Sequence, residues 1–311
     1  MLPSRITGSK WRPFSAYGFI LSAALSFLTV FSGCDQFVPE NYTTSVKTKG
    51  KIEAKYLANG DYSVDRLEFD APEPAKHIAV YFPNKLRTSQ SKYPVVIFVN
   101  GTGVTGSKYQ SLFRHLASWG FVAVGNEDPS TGLGVSASQT LDFILRENKR
   151  KESVFYGKID EDNIGVTGHS QGGAGVFNAV TKFENSKYYK TAVSLSPTNE
   201  TVADKMHIGY DSSKVNIPIL ILAGDGDAFE TKLVIPIEEL KKTYGRITAP
   251  KAAARRKGAG HGQMLYSADG YVTAWFMAQL QGDEYAAKAF EGSSPELLDN
   301  PLFRDQTIDI Q

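Results

Sequence analysis

Residues 163–173 read Asn-Ile-Gly-Val-Thr-Gly-His-Ser-Gln-Gly-Gly, and no other stretch constrains the fold of this chain as strongly. Residues 168–172 carry the pattern Gly-x-Ser-x-Gly, which sets a serine on a sharp turn between a strand and a helix. The flanking sequence supplies both elements. Residues 164–167 suit a short buried strand, and residues 171–183 predict a helix that opens with small side chains. A nucleophilic hydroxyl must project from a strained turn, where bulky residues two positions to either side would collide. Ser170 is therefore the candidate nucleophile.

The rest of the chain supports the layered fold that this turn requires. Residues 62–69 alternate, residues 78–82 form a second strand ended by Pro83, and residues 95–99 are a continuous Val-Val-Ile-Phe-Val run. Such runs belong to central strands buried on both faces. Residues 108–119 have helical spacing at Leu112, His115 and Leu116, with Gly120 placed to stop the helix. Strands follow at 121–124, 191–195 and 217–223, and helices at 138–148, 230–244 and 271–281, the second of them with Pro236 placed to kink it. Strands alternating with helices of this length predict an α/β fold, a mostly parallel sheet with helices on both faces, as one domain. Ligands of such sheets sit at the carboxyl ends of the strands.

Several function classes fall away. The 311 residues have a formal net charge of +1, which offers no electrostatic footprint for nucleic acid. No repeat and no Cys/His cluster spaced for a metal is present, so neither metal nor cofactor is expected. Residues 1–34 have the form of a lipoprotein signal. Arg5, Lys10 and Arg12 precede an uncharged run over 14–31, and Phe31-Ser32-Gly33-Cys34 ends it. Cys34 is the single cysteine, so an internal disulfide is impossible and lipidation is the role expected for it. The expectation is export and a lipid anchor in the cell envelope, with secretion or one N-terminal membrane span as alternatives. Residues 35–56 are polar with scattered lysines and read as a tether, which leaves 57–311 as the catalytic domain.

A serine nucleophile on this fold is followed in the chain by an acid and then a histidine. Residues 219–224 run into Asp225-Gly226-Asp227, where Asp227 is the preferred acid and Asp225 the alternative. Beyond them His261 is the one remaining histidine, flanked by glycines. His261 would take the Ser170 proton while the acid fixes its tautomer. The oxyanion needs two amide donors, expected from Gln171, which follows the nucleophile, and Thr102, in the loop after residues 95–99. His169 is expected to orient the turn or line the pocket.

These pieces together resemble the cutinase-like polyester hydrolases and the neighbouring dienelactone-hydrolase and chlorophyllase-type esterases. The resemblance runs from residue 62 to about 303. It rests on Tyr81-Phe82-Pro83, Val99-Asn100-Gly101, the step from Leu116 to Phe121, Asp162-Asn163-Ile164, the elbow, residues 224–227 and His261. It implies a carboxylic ester hydrolase of α/β-hydrolase fold with Ser170, Asp227 and His261 as its triad. Polyester-cleaving members often carry aromatic residues where this chain has Thr102 and Thr198, and methionine where it has Gln171; His169 agrees with many of them. The polar residues favour a small or moderately polar ester, with Phe229 as an apolar wall. A thioesterase or peptidase, a polyester hydrolase, and a non-catalytic binding lipoprotein are the alternatives. The sequence is silent on oligomeric state.

Overall fold

A computed structural model of the chain describes residues 38–310. Nine strands form one sheet in the order β1-β2-β4-β3-β5-β6-β7-β8-β9. β1 (Val64–Asp70), β2 (His77–Pro83) and β4 (Val122–Asn126) pair antiparallel at one side. β4, β3 (Tyr93–Val99), β5 (Ile159–His169), β6 (Tyr189–Leu195), β7 (Ile219–Gly224) and β8 (Lys251–Arg256) run parallel, and β9 (Phe303–Asp309) closes the far edge antiparallel to β8. The expected mostly parallel sheet is therefore present.

Alternation along the central strands feeds two cores. Val95, Ile97 and Val99 of β3 face one, and Val96 and Phe98 face the other. The same split places Ile219 and Ile221 of β7 opposite Leu220 and Leu222. One face is covered by helices that include Val135–Lys149, Gln171–Thr181 and Ile237–Arg246, and the other by Gln110–Ser118 and Asp269–Gln281. Burial on both faces explains the unbroken apolar runs read in the sequence. Because β3 and β5 to β8 are parallel, their carboxyl ends share one edge of the sheet. Thr102, Ser170, Thr198, Asp227 and His261 all lie in the segments leaving it.

Residues 38–56 correct the expectation of a polar tether. Two short helices, Tyr42–Ser45 and Lys51–Leu57, pack onto the domain, and Val38, Tyr42, Ile52 and Tyr56 are buried in its core. Their polar groups find partners inside the fold. The Tyr42 hydroxyl donates to Asp269 Oδ2 at 2.6 Å, and that carboxylate lies 2.8 Å from His115 Nδ1. His115 Nε2 faces the Ala58 carbonyl at 2.9 Å, so both ring nitrogens meet acceptors. Burial opposes charge on this histidine, but Asp269 and the carbonyls of Ala58 and Leu57 outweigh it and raise its pKa. A segment that looks solvated in sequence is thus held by buried polar contacts. Cys34 and the signal segment lie outside the described residues.

Two further differences concern strand and helix boundaries. The helix expected over 230–244 is divided at Pro236, as a proline inside a helical pattern dictates: a five-residue π-helical turn, Glu230–Val234, precedes the helix Ile237–Arg246. β8 and β9 were not expected. β8 reads Lys-Ala-Ala-Ala-Arg-Arg, which has little β propensity of its own, and it becomes a strand because β7 and β9 flank it.

Candidate active site

The elbow is as tight as its spelling requires. A Cβ on Gly172 would overlap the carbonyls of Val99 and Asn100, and one on Gly168 would overlap Gly172 itself. Between them Ser170 has φ 61° and ψ −121°, a conformation that costs a non-glycine residue on the order of 1–3 kcal/mol. Surrounding bonds hold it there. The Ser170 amide donates to the Leu195 carbonyl at 3.0 Å, and the Ser170 carbonyl accepts from the amides of Thr198 at 3.1 Å and Ala174 at 3.1 Å.

His261 meets the serine from the loop after β8. Ser170 Oγ lies 2.9 Å from His261 Nε2, and both residues are buried. The other ring nitrogen faces a carboxylate. His261 Nδ1 is 2.6 Å from Glu230 Oε2, and a nitrogen facing a carboxylate carries the proton, which leaves Nε2 free to accept from the serine. Glu230, not Asp227, therefore occupies the position beside the ring. Its second oxygen accepts from Ser196 Oγ at 2.6 Å and from the Gly224 amide at 2.7 Å. Three donors converge on a carboxylate with no exposed surface, which is how a buried negative charge is tolerated.

Asp227 is corrected from orienting acid to a different place in the same loop. Its Oδ2 accepts the main-chain amide of His261 at 2.7 Å, and its Oδ1 accepts the amide of Glu230 at 2.7 Å. Both Asp227 oxygens are taken up by these amides, and the carboxylate that meets Nδ1 is that of Glu230, three residues on. Asp225 faces away, accepting from the Gly258 amide and pairing with Arg304. Neither Glu230 nor Ser196 is singled out by the sequence alone. The available signal was Pro236, which separates the turn carrying Glu230 from the helix that follows.

The remaining expected residues fall around this centre. His169 Nε2–H donates to the His261 carbonyl at 2.8 Å, and the two rings lie 4.5 Å apart. Burial, with the neighbouring His261, pushes His169 well below the ordinary histidine pKa, so its ring is neutral and Nδ1 is left without a partner. Phe229, half-buried, meets the His261 ring edge to face at 5.0 Å. Thr198 is buried, and its carbonyl accepts from the Tyr210 hydroxyl at 3.1 Å. The amide of Gln171 opens a helix, where the first N–H groups have no intrahelical acceptor, and that of Thr102 makes no main-chain bond. Gln171 Oε1 and Thr102 Oγ1 are buried without partners.

The chain matches the family model described as PETase, PET hydrolase-like, over residues 45–281. It belongs to the PET hydrolase-like family. That membership agrees with the α/β-hydrolase fold and with the cutinase-like resemblance read from the sequence. Among curated relatives, the chain is 22% identical to chlorophyllase type 0 of Chenopodium album over 67% of its own length and 62% of the relative's. It is 29% identical to a bis(hydroxyethyl) terephthalate hydrolase of Streptomyces coelicolor, covering 48% of this chain and 44% of that one. It is 27% identical to cutinase 2 of Thermobifida cellulosilytica, covering 48% and 52%. The chain thus spans about six-tenths or less of the length of these relatives.

Proposed function

We propose that this PET hydrolase-like protein is a serine hydrolase that cleaves carboxylic esters, with Ser170 as nucleophile, His261 as general base and acid, and Glu230 as the orienting acid. The observation that carries the reading is the unbroken chain of short contacts from Ser170 Oγ through both nitrogens of His261 to Glu230. Nε2 takes the Ser170 proton as Oγ attacks the ester carbonyl. The oxyanion is received by the amides of Gln171 and Thr102, each worth roughly 3 kcal/mol in sites of this kind. His261 then protonates the leaving alcohol, and a water activated by the same nitrogen releases the acid from Ser170. A fluorophosphonate probe should label the wild-type protein and fail to label Ser170→Ala. Equal labelling of both would overturn the reading.

The proposed substrate is a small or moderately polar ester. Supporting it are the unpartnered Gln171 Oε1 beside the nucleophile and the polar Thr102 and Thr198. The names of the relatives, a terephthalate diester hydrolase and a cutinase, favour a polyester or its small fragments as the second reading. Gln171→Met tests the support for the first reading. It should raise kcat/KM for longer aliphatic esters over acetate by about tenfold, since an apolar contact in such a pocket discriminates by 1–3 kcal/mol. An unchanged chain-length profile would remove Gln171 from the acyl site.

The proposal extends to export with a lipid at Cys34, supported by the basic start, the uncharged run over 14–31 and the position of the lone cysteine. Among the described residues no helix is long and apolar enough to cross a membrane. In cells fed a labelled fatty acid, wild-type protein should take up label and Cys34→Ala should not. Label retained in the variant would exclude this site.

A further inference from the structure

We propose that Asp227 is a positioning residue that sets the distance between the acid and the base by holding their main chains. The inference rests on the triad of Ser170, His261 and Glu230 proposed above. Glu230 and His261 come from different loops, one after β7 and one after β8, and neither loop alone fixes where the other stands. The Asp227 carboxylate bridges them, with one oxygen on the Glu230 amide and the other on the His261 amide, both at 2.7 Å. Its own carbonyl accepts from the Thr231 hydroxyl at 2.8 Å and from the Thr231 amide at 3.2 Å, which ties it to the turn that carries Glu230.

The neighbouring residues are shaped around this bridge. A Cβ on Gly260 would overlap Asp227 Oδ2, so a larger residue there would force that oxygen to shift from where it makes the second bond. The Gly226 amide donates to the Ala259 carbonyl at 2.8 Å, laying the two loops side by side. His261 is held from its other end as well, since its carbonyl accepts from His169 Nε2. The base is thereby fixed through its amide, its carbonyl and both ring nitrogens. A reacting histidine must transfer protons between Oγ and the leaving group without shifting, and a displacement of about 1 Å in such a site costs up to about a hundredfold in rate. Asp227 prevents that displacement without touching the ring.

Steady-state kinetics on a p-nitrophenyl butyrate substrate tests this, together with the far-downfield proton resonance of His261 Nδ1. Glu230→Gln should lower kcat by about ten thousandfold, as loss of the orienting carboxylate does, and abolish the resonance. Asp227→Asn should keep the resonance and lower kcat by about ten- to a hundredfold, with KM within about twofold. Gly260→Ala keeps both carboxyl groups in the chain but pushes Asp227 Oδ2 off the His261 amide, so it should reproduce the Asp227→Asn loss, and the double variant should be no worse than either single one. If Asp227→Asn abolishes the resonance and costs as much as Glu230→Gln, Asp227 is the orienting acid and the proposal fails. Wild-type kinetics in Asp227→Asn would overturn it too. Wild-type protein that resists the fluorophosphonate probe defeats the hydrolase reading instead, and the resonance in Asp227→Asn and Glu230→Gln still reports which carboxylate holds the ring.

Discussion

Ser170→Ala is expected to lower kcat on a short-chain ester by about a millionfold while leaving the fold intact. The size follows from what the substitution removes. Without Oγ no acyl-enzyme forms, and His261 Nε2, placed 2.9 Å from that oxygen, has no proton to take. The oxyanion donors survive because they are main-chain amides, so a residual rate of roughly a thousandfold over water remains. The fold survives because Ser170 is held by its backbone: the bonds from its amide to Leu195 and to its carbonyl from Thr198 and Ala174 do not involve the side chain. Alanine meets the same positive φ as serine, so the strain at the turn is carried over unchanged. Circular dichroism and a thermal melt should therefore match wild type where kcat does not. A variant retaining more than about one per cent of wild-type activity would mean that another group attacks the ester.

The difference between what the sequence discloses and what it hides follows the range of the interactions involved. The elbow is legible because its requirements are local: two glycines, a serine, a strand before and a helix after all lie in one unbroken stretch, 159–181. His261 is legible by chain order, as the one histidine beyond the acid loop. The acid is not, because Asp227 and Glu230 both follow β7 and the choice between them depends on how far each side chain reaches across to another loop. Glu230, the one that meets the ring, opens the π-helical turn Glu230–Val234, which a helical pattern over 230–244 conceals. Ser196 is hidden for the same reason, since its bond to Glu230 joins residues 34 positions apart. β8 fails on local propensity, and its strand pairing comes from β7 on one side and β9 on the other. Residues 38–56 look solvated because polarity in a sequence does not distinguish exposure from buried pairing. In Glu53 and Tyr42 it marks buried groups with distant partners.

Glu53→Ala should destabilise the protein by about 3–5 kcal/mol, the cost of stranding one member of a buried ion pair. Glu53 is 1% exposed and Arg256 6%, with Arg256 Nη1 2.6 Å from Glu53 Oε1. The other carboxylate oxygen accepts from the amides of Lys49 at 3.0 Å and Gly50 at 3.2 Å and from Asn300 Nδ2 at 2.8 Å. Removing it leaves a buried guanidinium and three further donors without that acceptor. For a domain of this size the loss should lower the melting temperature by roughly 6–15 °C. A tether would show no such effect, so an unchanged melt would return residues 38–56 to that role. Arg256 also donates to the Lys47 carbonyl and lies over the Phe303 ring at 4.9 Å, which makes it the contact point for the N-terminal segment, β8 and β9 together. Two causes of the loss can then be separated. If the unpaired charge dominates, Glu53→Leu with Arg256→Met should recover most of the stability lost in Glu53→Ala, because a buried pair replaced by apolar groups of like volume is often neutral. If the orphaned amides of Lys49 and Gly50 dominate, the double variant should stay as unstable as the single one, because leucine offers them no acceptor.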